Sequence, residues 1–200
     1  DALRAIQLGP RSKEGNALYK ELLERGVVNS QARLSDLKEL LKEHHIVLSF
    51  FRGTWCPYCN MELEALAEIH EEIKARGACL IAVSPELFKF SEETIIKNNI
   101  NFPVFTDLGN KAADEFGLVF DLPDNYREIY RKLSIFLNVL NGENKWTLPM
   151  PATFIISKEG IITSTYINAD YTLRMEPDDI LEKLDLLSSG VPQVRALEKS

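Results

Sequence analysis

Hydrophobic and polar positions alternate between two periods along this chain, and the changes of period mark its elements. Residues 1–44 predict a helical extension. Leu18, Leu22 and Leu23 fall at helical spacing between Gly15 and Arg25, with Gly26 as the stop, and Ser35 caps a short helix over Asp36–Lys42. Ile46–Phe51 is a short, unbroken apolar run, the pattern of a strand covered on both faces.

A helix is predicted from Pro57 to Arg76. Cys59, Leu63, Leu66, His70 and Ile73 form its inward stripe, and Glu62, Glu64, Glu68, Glu71, Glu72 and Lys74 lie on its surface. Cys79–Val83 is a second apolar strand, and the intervening helix makes the pair parallel. Ser91 is expected to cap a helix over Glu92–Asn99. Short pieces follow: a strand at Phe102–Thr106, a helix at Asn110–Phe116 and an extended stretch at Gly117–Phe120.

The polar stretch 121–148 reads as an insertion with a helix around Asn125–Leu133. Thr153–Ile156 and Ile161–Ile167 predict a hairpin around Ser157–Gly160, and Pro177 opens a last helix carrying Ile180, Leu181, Leu184 and Leu187. Order and period together predict an α/β fold: a mixed central β-sheet flanked by helices, with an N-terminal helical extension (1–44), one main domain (45–190) and a C-terminal tail (191–200).

Composition removes several alternatives. The 200 residues are 45% hydrophobic and 26% charged, with a formal net charge of −7 and no basic cluster, so neither nucleic acid nor an anionic membrane is an expected partner. No apolar run is long enough to span a bilayer. Three cysteines do not make a disulfide scaffold. Together these features predict a protein of a reducing, cytoplasmic compartment.

Two of the cysteines form Cys56-Pro57-Tyr58-Cys59, between a predicted strand and a predicted helix. A thiolate is the reactive form of cysteine, and the unpaired N–H groups at a helix start favour that anion. Arg52, four residues earlier, can add positive charge. Cys59, one turn on and on the inward stripe, is the less accessible thiol. Cys56 is therefore the expected attacking residue and Cys59 the resolving one. A zinc site would need two further ligands that no nearby Cys or His supplies, and neither a metal nor another cofactor is expected. Cys79 reads as a buried small hydrophobe, and His70 lies about 20 Å along the helix from Cys56, too far to act as a base. Arg174, after the final strand, is a candidate to face the active-site end, though nothing in the sequence fixes it there.

The segment Phe51-Arg52-Gly53-Thr54-Trp55-Cys56-Pro57-Tyr58-Cys59 resembles the reactive segment of peroxiredoxin-like proteins in the alkyl hydroperoxide reductase / thiol-specific antioxidant (AhpC/TSA) family. The resemblance continues through Ala82-Val83-Ser84-Pro85-Glu86, Phe116–Phe120, Leu148–Ala152 and Asn168–Tyr171. It implies a thioredoxin-like fold and a thiol-dependent antioxidant enzyme. Its substrate would be a hydroperoxide or, in the competing reading, a protein disulfide. A non-catalytic redox sensor or metal-binding module is a third, weaker alternative. A thioredoxin-like reductant is the implied partner, and a homodimer a candidate assembly.

Two departures bear on the choice. Peroxiredoxins proper carry a threonine three residues before the reactive cysteine, where this chain has Gly53, and an arginine where it has Pro151. Pro151 instead resembles the cis-proline that faces the cysteine pair in thioredoxins, which would make 121–148 an insertion before a cis-Pro strand. Arg52, Thr54, Trp55 and Pro151 are thus the candidate substrate-contacting residues beside Cys56 and Cys59.

Overall fold

The computed structural model describes residues 41–189, so the helices expected before Leu41 and the tail from 191 to 200 lie outside the described residues. The main sheet has five strands in the order β3-β2-β1-β6-β7, where β1 is His45–Phe50, β2 Ala78–Ser84, β3 Val104–Thr106, β6 Ala152–Ile156 and β7 Ile162–Ile167. β1 runs parallel to β2 and antiparallel to β6, so the sheet is mixed. A second, two-stranded sheet pairs β4 (Val119–Asp121) with β5 (Thr147–Pro149).

The unbroken apolar run of β1 is explained by what covers it. Ile46, Leu48 and Phe50 join one buried cluster, with Ala112, Ala113 and Leu118. Val47 and Phe51 join the other, with Leu63, Leu66, Ile73, Ile180 and Leu184. Successive strand side chains point to opposite faces, so a strand with a core on each side is apolar at nearly every position; the buried exception, Ser49, donates its hydroxyl to Glu62.

The long helix after the cysteines divides at Ile69 into α1 (Pro57–Glu68) and α2 (His70–Ala75). All five residues of the predicted stripe are buried, but Glu62 is buried with them at 8% exposure, against the expectation of a surface residue. α3 spans Phe88–Lys97, so Ser91 is an internal residue and not its cap. Its hydroxyl donates to the Phe88 carbonyl at 3.1 Å, bonding back into its own helix. α4 (Lys111–Glu115) follows a short 3-10 turn, and α7 (Pro177–Ser188) packs Ile180, Leu181 and Leu184 inward.

The insertion holds α5 (Asp124–Lys132) and a second helix, α6 (Leu137–Leu140), that the sequence pattern did not suggest. β4 and β5 close its base, and Leu122, Leu137 and Leu148 give it a small core of its own.

Peptide bonds among the described residues are all trans, so the cis bond expected before Pro151 is absent. Pro149 is still paired with Val119, Met150 donates its N–H to the Leu118 carbonyl at 2.8 Å, and Ala152 already pairs with Phe50. The chain passes from one ladder to the next across two residues, and the ordinary preference for trans is unopposed.

Candidate active site

The candidate site lies where the C-terminal end of β1 meets the N-terminus of α1. Cys56 is the last non-helical residue (φ −96°, ψ 117°), and Pro57 occupies the first helical position, where its missing N–H costs no hydrogen bond. The turn between β1 and α1 is held by four hydrogen bonds. The Cys56 N–H donates to the Gly53 carbonyl at 3.2 Å, Asn60 Nδ2 donates to the Thr54 carbonyl at 2.8 Å, and Glu86 accepts from both the N–H and the hydroxyl of Thr54 at 2.8 Å each.

Gly53 is required at its position. Its φ is +145°, and a Cβ there would stand 2.4 Å from Nε1 of Trp55. The indole thus fills the space a larger residue at position 53 would need.

Cys56 is 1% exposed and Cys59 is fully buried. Arg52, itself buried, donates through Nη2 to the Cys56 sulfur at 2.9 Å. Its guanidinium carbon lies 3.9 Å from the centre of the Tyr171 ring and 5.4 Å from that of Trp55, and Nη1 donates to the Tyr130 hydroxyl at 3.4 Å. The result is a closed aromatic cage around one arginine–sulfur pair. Within it Arg52 Nε and Trp55 Nε1 are buried donors without a partner.

The two thiols titrate in opposite directions. Hydrogen bonding from the Cys59 thiol is the largest influence on Cys56; the Arg52 charge adds to it, burial opposes both, and the net result is a pKa lowered to about 5. Cys59 is pushed well above the ordinary thiol range, chiefly by that same hydrogen bond, then by burial and the Cys56 charge. One pair can therefore supply a nucleophile and a retained proton. The rate of alkylation of reduced protein is expected to rise with a midpoint near pH 5, and to lose that midpoint in Cys56→Ser but not in Cys79→Ser. A midpoint near the free-thiol value of about 8.5 would contradict this reading. Cys79 in β2 is buried and raised to about 11 by desolvation, as its apolar surroundings suggested.

A second arginine lies beside the second thiol. Arg174 Nε pairs with Glu62 at 2.6 Å, and its Nη2 lies 3.7 Å from Cys59 Sγ. Ser49 donates to the other Glu62 oxygen at 3.3 Å. Burial raises the Glu62 pKa, and Arg174 acts against that shift. The sequence carried half of this signal, since Glu62 stands three residues after Cys59, on the inward side of the helix. Arg174 is 112 residues away along the chain, and no spacing rule links the two.

The remaining candidates are distributed unevenly. Thr54 is buried in the turn, but its hydroxyl proton is already committed to Glu86. Pro151 is buried one residue before β6, level with Phe51 by the register of Phe50 with Ala152. Tyr130, Tyr171, Glu62 and Glu86 belong to the site without having been singled out from the sequence. Glu86→Ala is expected to cost about 1–3 kcal/mol in denaturant unfolding, because it strands the buried N–H of Thr54, whereas Glu86→Gln keeps an acceptor and costs less. Equal losses in the two variants would place the effect in packing instead.

Among the described residues no group of three or more His, Cys, Asp or Glu side chains could hold a metal ion, and no helix is long and apolar enough to cross a membrane. Residues 20–165 match the model of the AhpC/TSA family. The chain belongs to that family.

Thiol-disulfide oxidoreductase ResA of Bacillus anthracis is 24% identical over 169 residues, covering 82% of this chain and 78% of that protein. Chloroplastic peroxiredoxin Q of Sedum lineare is 24% identical over 145 residues, covering 72% and 63%. Among solved structures, peroxidoxin BcpB from Mycobacterium tuberculosis superposes with a TM-score of 0.59 at 17% identity, covering 76% of this chain and 84% of that one. The AhpC/TSA chain described here thus has the thioredoxin-like fold, and it is a thiol-based redox enzyme.

Proposed function

We propose that this protein is a thiol-dependent peroxidase in which Cys56 attacks small hydroperoxides and Cys59 resolves the product. The observation that carries the reading is the Arg52 guanidinium on Cys56 at 2.9 Å, inside a cage that leaves the sulfur 1% exposed. A hydroperoxide needs only a narrow approach to such a sulfur, whereas a folded protein carrying a disulfide needs the cage to open. Arg52 also retains a buried N–H at Nε with no partner, and a donor of this kind stabilises charge developing on a peroxide oxygen.

The steps balance as follows. The Cys56 thiolate attacks the terminal oxygen of ROOH and the O–O bond breaks. Cys56 becomes a sulfenic acid, and RO⁻ leaves to take a proton from solvent. The charge and hydrogen bond that held the Cys59 pKa up are then gone. The Cys59 sulfur displaces hydroxide from the sulfenic acid, the Cys59 proton completes a water molecule, and a Cys56–Cys59 disulfide remains. A dithiol reductant of the thioredoxin type supplies two electrons and two protons to restore both thiols. Arg52 and Trp55 line the substrate position, and Thr54 and Pro151 shape the turn and its surroundings. A reducing, cytoplasmic setting suits this cycle.

The second reading, a protein disulfide reductase using the same pair, draws on the ResA relatives and on Thr54, whose hydroxyl proton is already spent on Glu86. Incubating the reduced protein with hydrogen peroxide, an organic hydroperoxide and insulin disulfide separates the two. Rapid oxidation by the peroxides with slow insulin reduction is expected. The reverse order would replace the peroxidase reading with the reductase one.

A further inference from the structure

The segment joining β7 to α7 lies outside the Cys56–Cys59 motif, yet it reaches both thiols. Asn168 Oδ1 accepts from the Asp170 N–H at 2.8 Å, and Asp170 Oδ1 accepts from the N–H and hydroxyl of Thr172 at 2.9 and 2.7 Å. Arg174 Nη1 donates to the carbonyls of Tyr171 and Leu173, while its Nε pairs with the buried Glu62. The loop is therefore folded on itself and anchored to α1 one turn beyond Cys59. What that anchor positions is Tyr171. Its ring lies 3.9 Å from the Arg52 guanidinium carbon and meets Tyr58 edge-on at 5.7 Å between centroids. Tyr171 is 43% exposed, while Arg52 beneath it is 6% exposed and Cys56 only 1%.

Resting on the assignment of Cys56 as the attacking thiol, we infer that Tyr171 is a specificity-determining residue, a size filter that admits small oxidants to Cys56 and excludes bulky ones. Three other groups around Arg52 are set in the body of the protein or bridged to it. Trp55 follows Gly53 in the pinned turn, Tyr130 packs edge-on against Trp55, and Cys56 starts α1. Of the four, Tyr171 alone is exposed, and it comes from the loop after β7. It can swing away without breaking a helix or strand, at the cost of one cation–π contact and one aromatic contact. A small substrate does not require that motion, and a large one does. Tyr58 on α1, the ring's other neighbour, is similarly half-exposed and completes the rim.

The filter is tested on the reduced full chain at pH 6, where Cys56, lowered to about 5, is ionised and Cys79, raised to about 11, is not. The probes are N-ethylmaleimide and the same maleimide carried on a long polyethylene glycol chain, so that reagent size is the only variable. The parent should strongly favour the small reagent. In Tyr171→Ala the rate with the bulky reagent should rise about tenfold relative to the small one, the factor expected for loss of a partly desolvated cation–π contact. Tyr171→Phe keeps the ring and should keep the parent's ratio. An unchanged ratio in Tyr171→Ala, or a ratio that collapses equally in Tyr171→Phe, would overturn the filter. Peroxide consumption by the same preparations is read separately. Rapid consumption with a ratio indifferent to Tyr171 removes only the filter. A Tyr171-dependent ratio without peroxide consumption supports the filter and removes the peroxidase reading.

Discussion

Replacing Arg52 with alanine is expected to lower the rate of peroxide reduction by about a hundredfold or more, the usual cost of losing one donor aimed at developing charge. On the proposed mechanism Arg52 acts in two ways, and they can be told apart. As a charge it favours the Cys56 thiolate, but hydrogen bonding from Cys59 is the larger influence, so the alkylation midpoint should rise while remaining below that of a free thiol. As a donor it serves the peroxide oxygens, and that contribution vanishes entirely. The peroxide rate should therefore fall much further than the loss of thiolate explains, even at pH 8, where most of Cys56 should still be ionised. Arg52→Lys restores a charge but not the planar fork that reaches Cys56 and Tyr130 together, and it should recover the midpoint better than the rate. Equal recovery of both by lysine would show that charge alone matters.

The second large effect belongs to Cys59→Ser. Cleavage of the O–O bond needs only the Cys56 thiolate, so this variant should consume one equivalent of peroxide and then stop, losing essentially all multiple turnover. The sulfenic acid it forms has no neighbouring thiol to condense with, and dimedone should trap it on Cys56. Serine keeps an O–H donor in place of the Cys59 thiol, whose hydrogen bond leads the causes of Cys56 acidity, so the first equivalent should still react with a midpoint well below that of a free thiol. Accumulation of mixed disulfides with other proteins, and no sulfenic acid, would instead mark disulfide exchange as the chemistry.

What the sequence disclosed about this architecture follows from range. Strands β1 and β2, helix α1 and the Cys56–Cys59 pair were legible because each is written in a few adjacent residues: an apolar run, a helical stripe, a proline at the first helical position. Cys79 was legible because burial in a strand is a local property. The cage was not. Tyr130 comes from an insertion helix with no buried residues of its own, and Tyr171 from a loop, so neither lies in a pattern that hydrophobic periodicity can detect. Glu62 was misplaced on the surface because charge normally marks the solvent face, and its half-buried partner Arg174 arrives from the loop after β7. The expected cis bond at Pro151 came from likeness to thioredoxins, while the actual path was set by the pairing of Pro149 with Val119 on the insertion's own small sheet.

The most direct measurement is the rate at which the reduced protein reacts with hydrogen peroxide in stopped-flow single turnover, compared with free cysteine after each is corrected to its thiolate fraction. The account predicts a thiolate in the Arg52 cage that reacts at least about a hundredfold faster than the free thiolate, with most of the excess lost in Arg52→Ala. A corrected rate equal to that of free cysteine, unchanged by removing Arg52, would contradict it.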